Sequence, residues 1–158
     1  MTRLRIAVLG TMGADPFAGM AWMHLQLAAG LLRLGHDVRY VETTSAWPYD
    51  VERGTRTDDA GYTLRYLSRV TPRFGMGERW AYRRSWGDGA WLGPAGADAA
   101  EWLAGTDLVF NVAGATQITR DGFDSGPVIH FGTDPVSDEL RYAAGDARTV
   151  EHVDAHAA

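Results

Sequence analysis

The sequence predicts an α/β fold, an open and mostly parallel sheet with helices on both faces. Residues 5–9 form a short apolar run that stops at Gly10, which is typical of a strand buried on both sides. A stripe of apolar residues at three- and four-residue steps follows and indicates an amphipathic helix. Its members are Met20, Met23, Leu27, Leu31 and Leu34. Residues 38–41 supply a second strand, and such a βαβ unit has parallel strands and a right-handed crossover.

The elements beyond this unit follow the same alternation. Gly35 stands just after the helix, where a left-handed C-terminal cap belongs. Residues 43–60 are polar and rich in turn formers, residues 62–70 indicate a second helix, and residues 83–94 indicate a glycine-rich irregular loop. The remaining predicted elements are a helix over 95–103, strands over 108–112 and 128–131, and a last helix from Ser137.

Length and composition predict one folded domain. The chain has 158 residues, of which 46% are hydrophobic and 22% charged, a globular composition. The formal net charge of -5 argues against a nucleic-acid binder, because such affinity is built from basic side chains. The absence of cysteine rules out disulfides and thiolate metal sites. We find no secretory signal and no apolar stretch near the roughly 20 residues of a membrane span, so a cytoplasmic location is expected.

The carboxyl ends of the predicted strands are the candidate binding region. In open parallel sheets, ligands bind beyond these ends, near the point where the strand order reverses. The candidate binding residues there are Gly10, Thr11, Met12 and Gly13 after the first strand, Asn111 and Gly114 after the third, and Asp134 after the fourth.

The turn over residues 10–13 has two interpretations. Its backbone amides can approach an anion or a sugar hydroxyl, helped by the dipole of the following helix. It lacks the G-x-G-x-x-G spacing of a dinucleotide fingerprint, so a tight turn between strand and helix explains it equally well. Glu42 stands where a dinucleotide-binding protein places its ribose-binding acid, although we favour a solvated carboxylate at a strand end.

Aromatic residues in the predicted loops are a second group of candidates. Trp47 and Tyr49, with Trp86 and Trp91 further along, stand where aromatic faces commonly stack on sugar rings or planar acceptors. Loop tryptophans also pin long loops to the core. We assign Trp47 and Tyr49 to substrate binding.

His24 and Asp15 are the candidate catalytic bases. His24 lies on the first helix beside the apolar stripe, and imidazole is the usual base for a hydroxyl group near neutral pH. A helix histidine in that position is also typical of a core residue. Asp15, in the loop, is the competing base or a solvated carboxylate. His152 and His156 have the helical spacing of two metal ligands, but they lie near the end of the chain, and no metal site is expected.

Three passages resemble the opening βαβ unit of GT-B glycosyltransferases. They are residues 5–10 (RIAVLG), 31–38 (LLRLGHDV) and 40–42 (YVE). With residues 47–50 (WPYD) and 133–135 (TDP), the chain is similar to a bacterial group of family-1-like transferases. The likeness covers nearly the whole chain, as the N-terminal domain of that family.

The resemblance implies that residues 1–158 are a Rossmann-like domain that holds a small-molecule acceptor. A separate C-terminal domain then holds the nucleotide sugar, and a hydroxyl of the acceptor receives the sugar in the cleft between them, with no cofactor and no tightly bound metal. We expect the chain to be cut before that domain, or to take it from a partner chain, so that alone it binds without turnover. Many members carry a catalytic Gly-His pair at the start of the first helix. Gly19-Met20 stands there in this chain, which leaves His24 or Asp15 as the base.

Two other functions remain open from the sequence. One is an NAD- or nucleotide-sugar-binding Rossmann protein that uses residues 10–13 and Glu42. The other is a non-catalytic module that docks onto a complete transferase. A missing domain or a docking role also predicts an exposed apolar patch.

Overall fold

The computed structural model describes residues 2–43, 45–121, 123, 126–133 and 135–156. The strands are β1 Arg5–Leu9, β2 Asp37–Glu42, β3 Tyr49–Asp50, β4 Thr55–Arg56, β5 Trp80–Arg83, β6 Trp91–Leu92, β7 Leu108–Val112 and β8 Val128–Phe131. The helices are α1 Ala18–Arg33, α2 Gly61–Val70, α3 Ala99–Ala104, α4 Ile118–Asp121, α5 Pro135–Ala143 and α6 Ala147–Asp154, with a 3-10 turn at Thr71–Phe74.

Six of these strands form one sheet in the order β6-β5-β2-β1-β7-β8, and β3 and β4 form a separate hairpin. β1 pairs in parallel with β2 and β7, β2 pairs in parallel with β5, and β7 pairs in parallel with β8. Short β6 runs antiparallel to β5. The predicted open and mostly parallel α/β sheet is therefore confirmed, and its strand order reverses between β1 and β7.

The register places the candidate binding residues at one edge, which we call the carboxyl edge. Leu9 at the end of β1 is opposite Val41 of β2 and Asn111 of β7. Gly10, Glu42 and Asn111 therefore share this edge, as predicted. Asp134, the fourth residue of that prediction, lies outside the described residues.

Helices cover both faces of the sheet because β1 is buried on both sides. Ile6 and Val8 belong to the apolar cluster that α1 and α2 cover, whereas Ala7 and Leu9 belong to the cluster that α3 covers. Alternate residues of a strand point to opposite faces, so an unbroken apolar run is required here.

The buried face of α1 differs in part from the predicted stripe. The buried residues of this helix are Ala21, His24, Leu25, Ala28 and Ala29. The Met and Leu residues of the predicted stripe flank this face, and Leu34 is 57% exposed. Small residues let the helix approach the sheet closely. The sequence pattern favoured the face with the larger apolar residues instead. The cap at Gly35 is as predicted, with a φ of 89°.

The region 80–92 is more ordered than its sequence suggests. Trp80–Arg83 forms β5, a strand that the sequence analysis did not predict, and Trp91–Leu92 forms β6 within the predicted irregular loop over 83–94. Trp80 and Tyr82 are fully buried beside β2, so this strand depends on tertiary packing more than on its own pattern. The predicted helix over 95–103 begins later, at Ala99.

Candidate functional site

The loop that follows β1, residues 10–17, crosses the carboxyl edge and leads into α1. Gly10, Met12 and Gly13 are buried in it, and Thr11 is half-buried. The amide of Gly10 donates to the Val41 carbonyl oxygen at 3.2 Å, which continues the β1–β2 ladder. The first part of this loop is therefore part of the core rather than an open cradle.

Glu42 holds the next part of the loop. Its carboxylate is fully buried and accepts hydrogen bonds from the amides of Gly13 at 2.8 Å and Ala14 at 2.6 Å. The Tyr40 hydroxyl donates to the same carboxylate at 2.7 Å and accepts from the Met12 amide at 2.8 Å. These amides already have partners inside the protein, so they do not form an anion-binding nest.

The expectation of a solvated carboxylate at position 42 is wrong. Burial raises the pKa of Glu42 from 4.5 to about 7, against the opposing effect of the hydrogen bonds from Gly13, Tyr40 and Ala14. The loop donors compensate the side chain for its lost hydration. A ribose cannot reach this carboxylate without displacing the loop.

His24 lies behind the same loop and has no exposed surface. Its Nδ1 donates to the Met20 carbonyl oxygen at 2.6 Å, and its ring meets Tyr40 edge-to-face at 5.8 Å. Its buried Nε2 has no hydrogen-bond partner and lies against Gly10, where a Cβ atom would be only 2.2 Å away. Burial lowers the pKa of His24, so the ring is neutral near pH 7 but closed off from solvent.

Asp15 is the more accessible of the two candidate bases. Its side chain is 27% exposed, and its Oδ1 accepts from Arg56 Nη2 at 2.6 Å. Arg56 also donates through Nη1 to the Trp47 carbonyl oxygen at 2.7 Å. One arginine of the β3–β4 hairpin thus joins the end of the β1 loop to the segment that carries Trp47.

Three aromatic residues lie at this junction, and we call them the aromatic platform: Phe17, Trp47 and Tyr49. The Tyr49 amide donates to the Ala14 carbonyl oxygen at 2.8 Å, and the rings of Phe17 and Tyr49 lie 5.9 Å apart. Phe17 is 54% exposed and Trp47 is 51% exposed. Large exposed aromatic surfaces beside a carboxylate form a surface on which a planar or sugar-like ring can stack.

Trp86 and Trp91 pin loops to the core, which is one of the two roles that the sequence analysis considered for loop tryptophans. Trp86 packs edge-to-face against Tyr82 and donates to the Asp58 carbonyl oxygen at 3.4 Å. Trp91 lies in β6 with the Arg83 guanidinium over its ring. Both are half-buried and attach loops to the sheet.

Asn111 and Gly114 organise the loop after β7. Asn111 is fully buried and holds Thr116 with two hydrogen bonds, from its Nδ2 to the carbonyl oxygen at 2.9 Å and from the Thr116 amide to its Oδ1 at 3.1 Å. Gly114 has a φ of 61° and lies against His152 of α6. These two predicted binding residues therefore shape the edge, and α6 lies over them.

Sequence reasoning missed Phe17 and Arg56. Phe17 is the last residue of the loop before α1. The only sequence signal at this position is the preceding Pro16, which is typical of a helix start. Arg56 is one of many arginines in residues 53–84, and nothing in that run distinguishes it. Both become visible only when the hairpin docks onto the β1 loop.

Comparison with protein-family models, curated proteins and solved structures finds no match to this chain. In the part of the chain that the structure describes, no helix is long and apolar enough to cross a membrane. Within the same residues, no group of three or more His, Cys, Asp or Glu side chains is arranged to hold a metal ion.

Proposed function

We propose that this chain is the acceptor-binding half of a GT-B glycosyltransferase, with a Rossmann-like fold. The observation that carries the proposal is the aromatic platform beside the Asp15–Arg56 pair at the carboxyl edge. It supplies a stacking surface and a carboxylate within one docked unit. The chemistry that such a surface favours is recognition of a small molecule with a planar or sugar ring and a hydroxyl group.

The strand order supports this proposal. Omitting the antiparallel β6, the parallel strands follow the 3-2-1-4-5 arrangement of doubly wound folds, with the switch point between β1 and β7. The β1 loop that carries Asp15 begins at this switch point. The position of the candidate site therefore agrees with the general location of ligand sites in such sheets.

The hydrogen bonds of the β1 loop disfavour the NAD-binding alternative. A dinucleotide site at this position needs loop amides for its pyrophosphate and a strand-end acid for its ribose. Here Glu42 is buried and bonded to the amides of Gly13 and Ala14. The proposal therefore assigns the nucleotide sugar to a further domain or to a partner chain.

Exposed apolar side chains agree with the need for such a partner. They lie on β8 and α5 and comprise Ile129, Phe131, Val136 and Leu140. Val136 is 63% exposed and Leu140 is 66% exposed, high values for large apolar side chains of a helix. The identity of what covers this face stays a prediction.

In the proposed reaction, Asp15 is the general base. Arg56 holds Oδ1, and Oδ2 accepts the proton of the acceptor hydroxyl. The acceptor oxygen forms a bond to the anomeric carbon, the bond from that carbon to the phosphate oxygen breaks, and the nucleoside diphosphate leaves with the electron pair. We assign His24 a structural role, because its Nε2 is buried behind Gly10.

Ligand-observed NMR on the chain tests the binding step. The probes are a soluble phenol, a phenyl glucoside, UDP-glucose and NADH. We expect the two ring-bearing acceptors to bind and Trp47→Leu to weaken them roughly tenfold, since aromatic pairs contribute about 0.5–1.5 kcal/mol beyond buried area. Trp22→Leu is the matched control, because Trp22 is similarly exposed, at 58%, but packs on Phe74. Binding of NADH alone, or equal effects of the two variants, would overturn the proposal.

A transfer assay with the donor half supplied tests the base. Asp15→Asn is expected to lower turnover by about 10² to 10⁴ at unchanged acceptor affinity. Asp59→Asn is the control, because Asp59 also pairs with an arginine, Arg53, at 3.3 Å, in the same region. Loss of transfer in a folded His24→Gln variant, with Asp15→Asn active, would return the role to His24.

A further inference from the structure

Three histidines meet over the carboxyl ends of β7 and β8. His130 comes from β8, His152 comes from the last turn of α6, and His156 lies just beyond the end of that helix. The centroid of the His156 ring lies 5.0 Å from that of His130 and 5.1 Å from that of His152, and the third separation is 5.8 Å. We call these residues the histidine cluster.

Hydrogen bonds fix His156 in a neutral form. Its Nδ1 lies 2.8 Å from the carbonyl oxygen of His152, which can only accept, so Nδ1 carries the proton. Its Nε2 lies 3.0 Å from Asn111 Nδ2. The bonds of Asn111 to Thr116 set the orientation of its amide, so Nδ2 is a donor and Nε2 must accept. A second proton on His156 would set two donors against each other.

The surroundings of His130 and His152 also disfavour a protonated imidazole. His130 Nε2 is buried and has no hydrogen-bond partner. A Cβ atom on Gly114 would be 2.6 Å from His152 Nε2 and 3.4 Å from His130 Nε2, so a residue with a side chain does not fit beneath the cluster. Like charges on rings this close repel each other.

Charged groups of both signs line the cleft beside His152. They are Asp138 and Arg141 of α5 and Asp146, Arg148 and Glu151 of the α6 segment. The pKa of His152 is lowered chiefly by burial and to a smaller extent by the charge of His130. The carboxylate of Asp138 opposes both effects. Burial also lowers the pKa of His156, although its bond to the His152 carbonyl oxygen opposes this, and the charges of His130 and His152 lower it further.

We propose that α6 is a proton-sensitive cover of the carboxyl edge, docked over Asn111 and Gly114 while the histidine cluster is neutral and released when the cluster is protonated. The inference rests on the packing of α6 and does not depend on the proposed function. If both hold, acidification opens the β7 side of the edge to ligand. Since the released state binds more protons, docking is complete above a pH of about 6.5 and weakens as the pH falls below it.

Hydrogen exchange followed by mass spectrometry on the full chain tests this proposal, at about pH 8 and about pH 5 with correction for intrinsic exchange. We expect the protection of α6 amides to fall at least about tenfold between the two conditions. Two charges 5 Å apart at an effective dielectric constant near 20 correspond to roughly two orders of magnitude in an equilibrium constant, and partial exposure reduces this.

The variants isolate the cluster. His130→Gln combined with His156→Gln removes two titrating rings, and glutamine can still accept from Asn111 Nδ2 at position 156. Of the cluster, only His152 still titrates in this variant, so acidification should lower the protection of α6 much less than in wild type. His36→Gln is the control, because His36 accepts from the Leu4 amide at the opposite edge of the sheet and should leave the response of wild type unchanged.

A second measurement covers the case in which the double variant fails to dock. In the wild-type chain, the NMR titration midpoints of the cluster rings must coincide with the pH at which α6 opens. Unprotected wild-type α6 at pH near 8, equal protection of wild-type α6 at both pH values, a response of wild-type size in the docked double variant, or midpoints that differ would each overturn the proposal.

Discussion

Replacing Gly10 with alanine sets a methyl group against the His24 ring. The new Cβ atom would lie 2.2 Å from both Cδ2 and Nε2 of His24 and 3.1 Å from Cε2 of Tyr40. Ordinary contacts between such atoms are about 3.5–4.0 Å. Because His24 and Tyr40 are both buried, neither ring has free space to enter. Overpacking of this kind costs about 1–3 kcal/mol, and we expect about 3 kcal/mol for Gly10→Ala.

The second variant, His24→Ala, tests the cause of that loss. Alone, it removes a buried ring and leaves a cavity, for which about 2–4 kcal/mol is expected. In the double variant, the methyl group at position 10 enters the space that the ring has left. The two losses in unfolding free energy should therefore not add. The double variant should be at least about 1.5 kcal/mol more stable than the sum of the two single losses predicts.

Urea unfolding followed by tryptophan fluorescence measures these free energies at one fixed pH. Gly30→Ala is the matched control, because Gly30 lies within α1 and a Cβ atom there meets nothing within 4 Å. It should stabilise the chain by about 0.5–1 kcal/mol. If the losses of Gly10→Ala and His24→Ala add to within about 0.5 kcal/mol, the His24 ring is not the reason that position 10 requires glycine. The structural role assigned to His24 would then be wrong.

Three further predictions concern charge and buried hydrogen bonds. The pKa of Glu42 is raised from 4.5 to about 7, so its contribution to stability is present below pH 4.5 and is lost as the pH rises through 7. This contribution is on the order of 3 kcal/mol. Glu42→Gln should abolish this part of the pH dependence of the unfolding free energy in urea titrations, and an unchanged pH dependence would contradict the prediction. Arg39→Met should return the pKa of Asp98, which the Arg39 hydrogen bond lowers, toward its ordinary value in a carboxyl NMR titration; a pKa that stays low would show that Arg39 is not the cause. Asn111→Ala should cost about 2–4 kcal/mol in thermal or urea unfolding, because the amide and the carbonyl oxygen of Thr116 lose their hydrogen bonds to the Asn111 side chain, whereas a loss below about 1 kcal/mol would mean that solvent replaces these bonds.

The first βαβ unit could be predicted from the sequence because each signal is local. The apolar run over 6–9, a helical stripe and a glycine cap require no knowledge of the rest of the chain. The parallel pairing of β1 and β2 then follows, because a helix of this length between two strands returns the chain to the same end of the sheet. The shared edge of Gly10, Glu42 and Asn111 follows in turn, since parallel strands all end on the same side.

The state of the side chains at that edge could not be predicted in the same way. Glu42 is buried because amides of Gly13 and Ala14, on another loop, reach its carboxylate. His24 is buried because α1 approaches the sheet through alanines and so places its ring behind Gly10. In each case, burial depends on contacts between elements, and a residue type alone does not reveal whether it is solvated.

Strand order and hydrogen-bond partners favour different proposals for the ligand of the β1 loop. A 3-2-1-4-5 parallel order with a glycine-containing first loop favours a bound dinucleotide by analogy of fold. A phosphate at that loop, however, must compete with the Glu42 carboxylate for the amides of Gly13 and Ala14, and it would place a second negative charge beside the first. Breaking both bonds would leave the Tyr40 hydroxyl as the remaining side-chain donor to a buried acid, at a cost of several kcal/mol. The more accessible route to this edge lies at the end of the same loop, where Asp15 and the aromatic platform reach solvent.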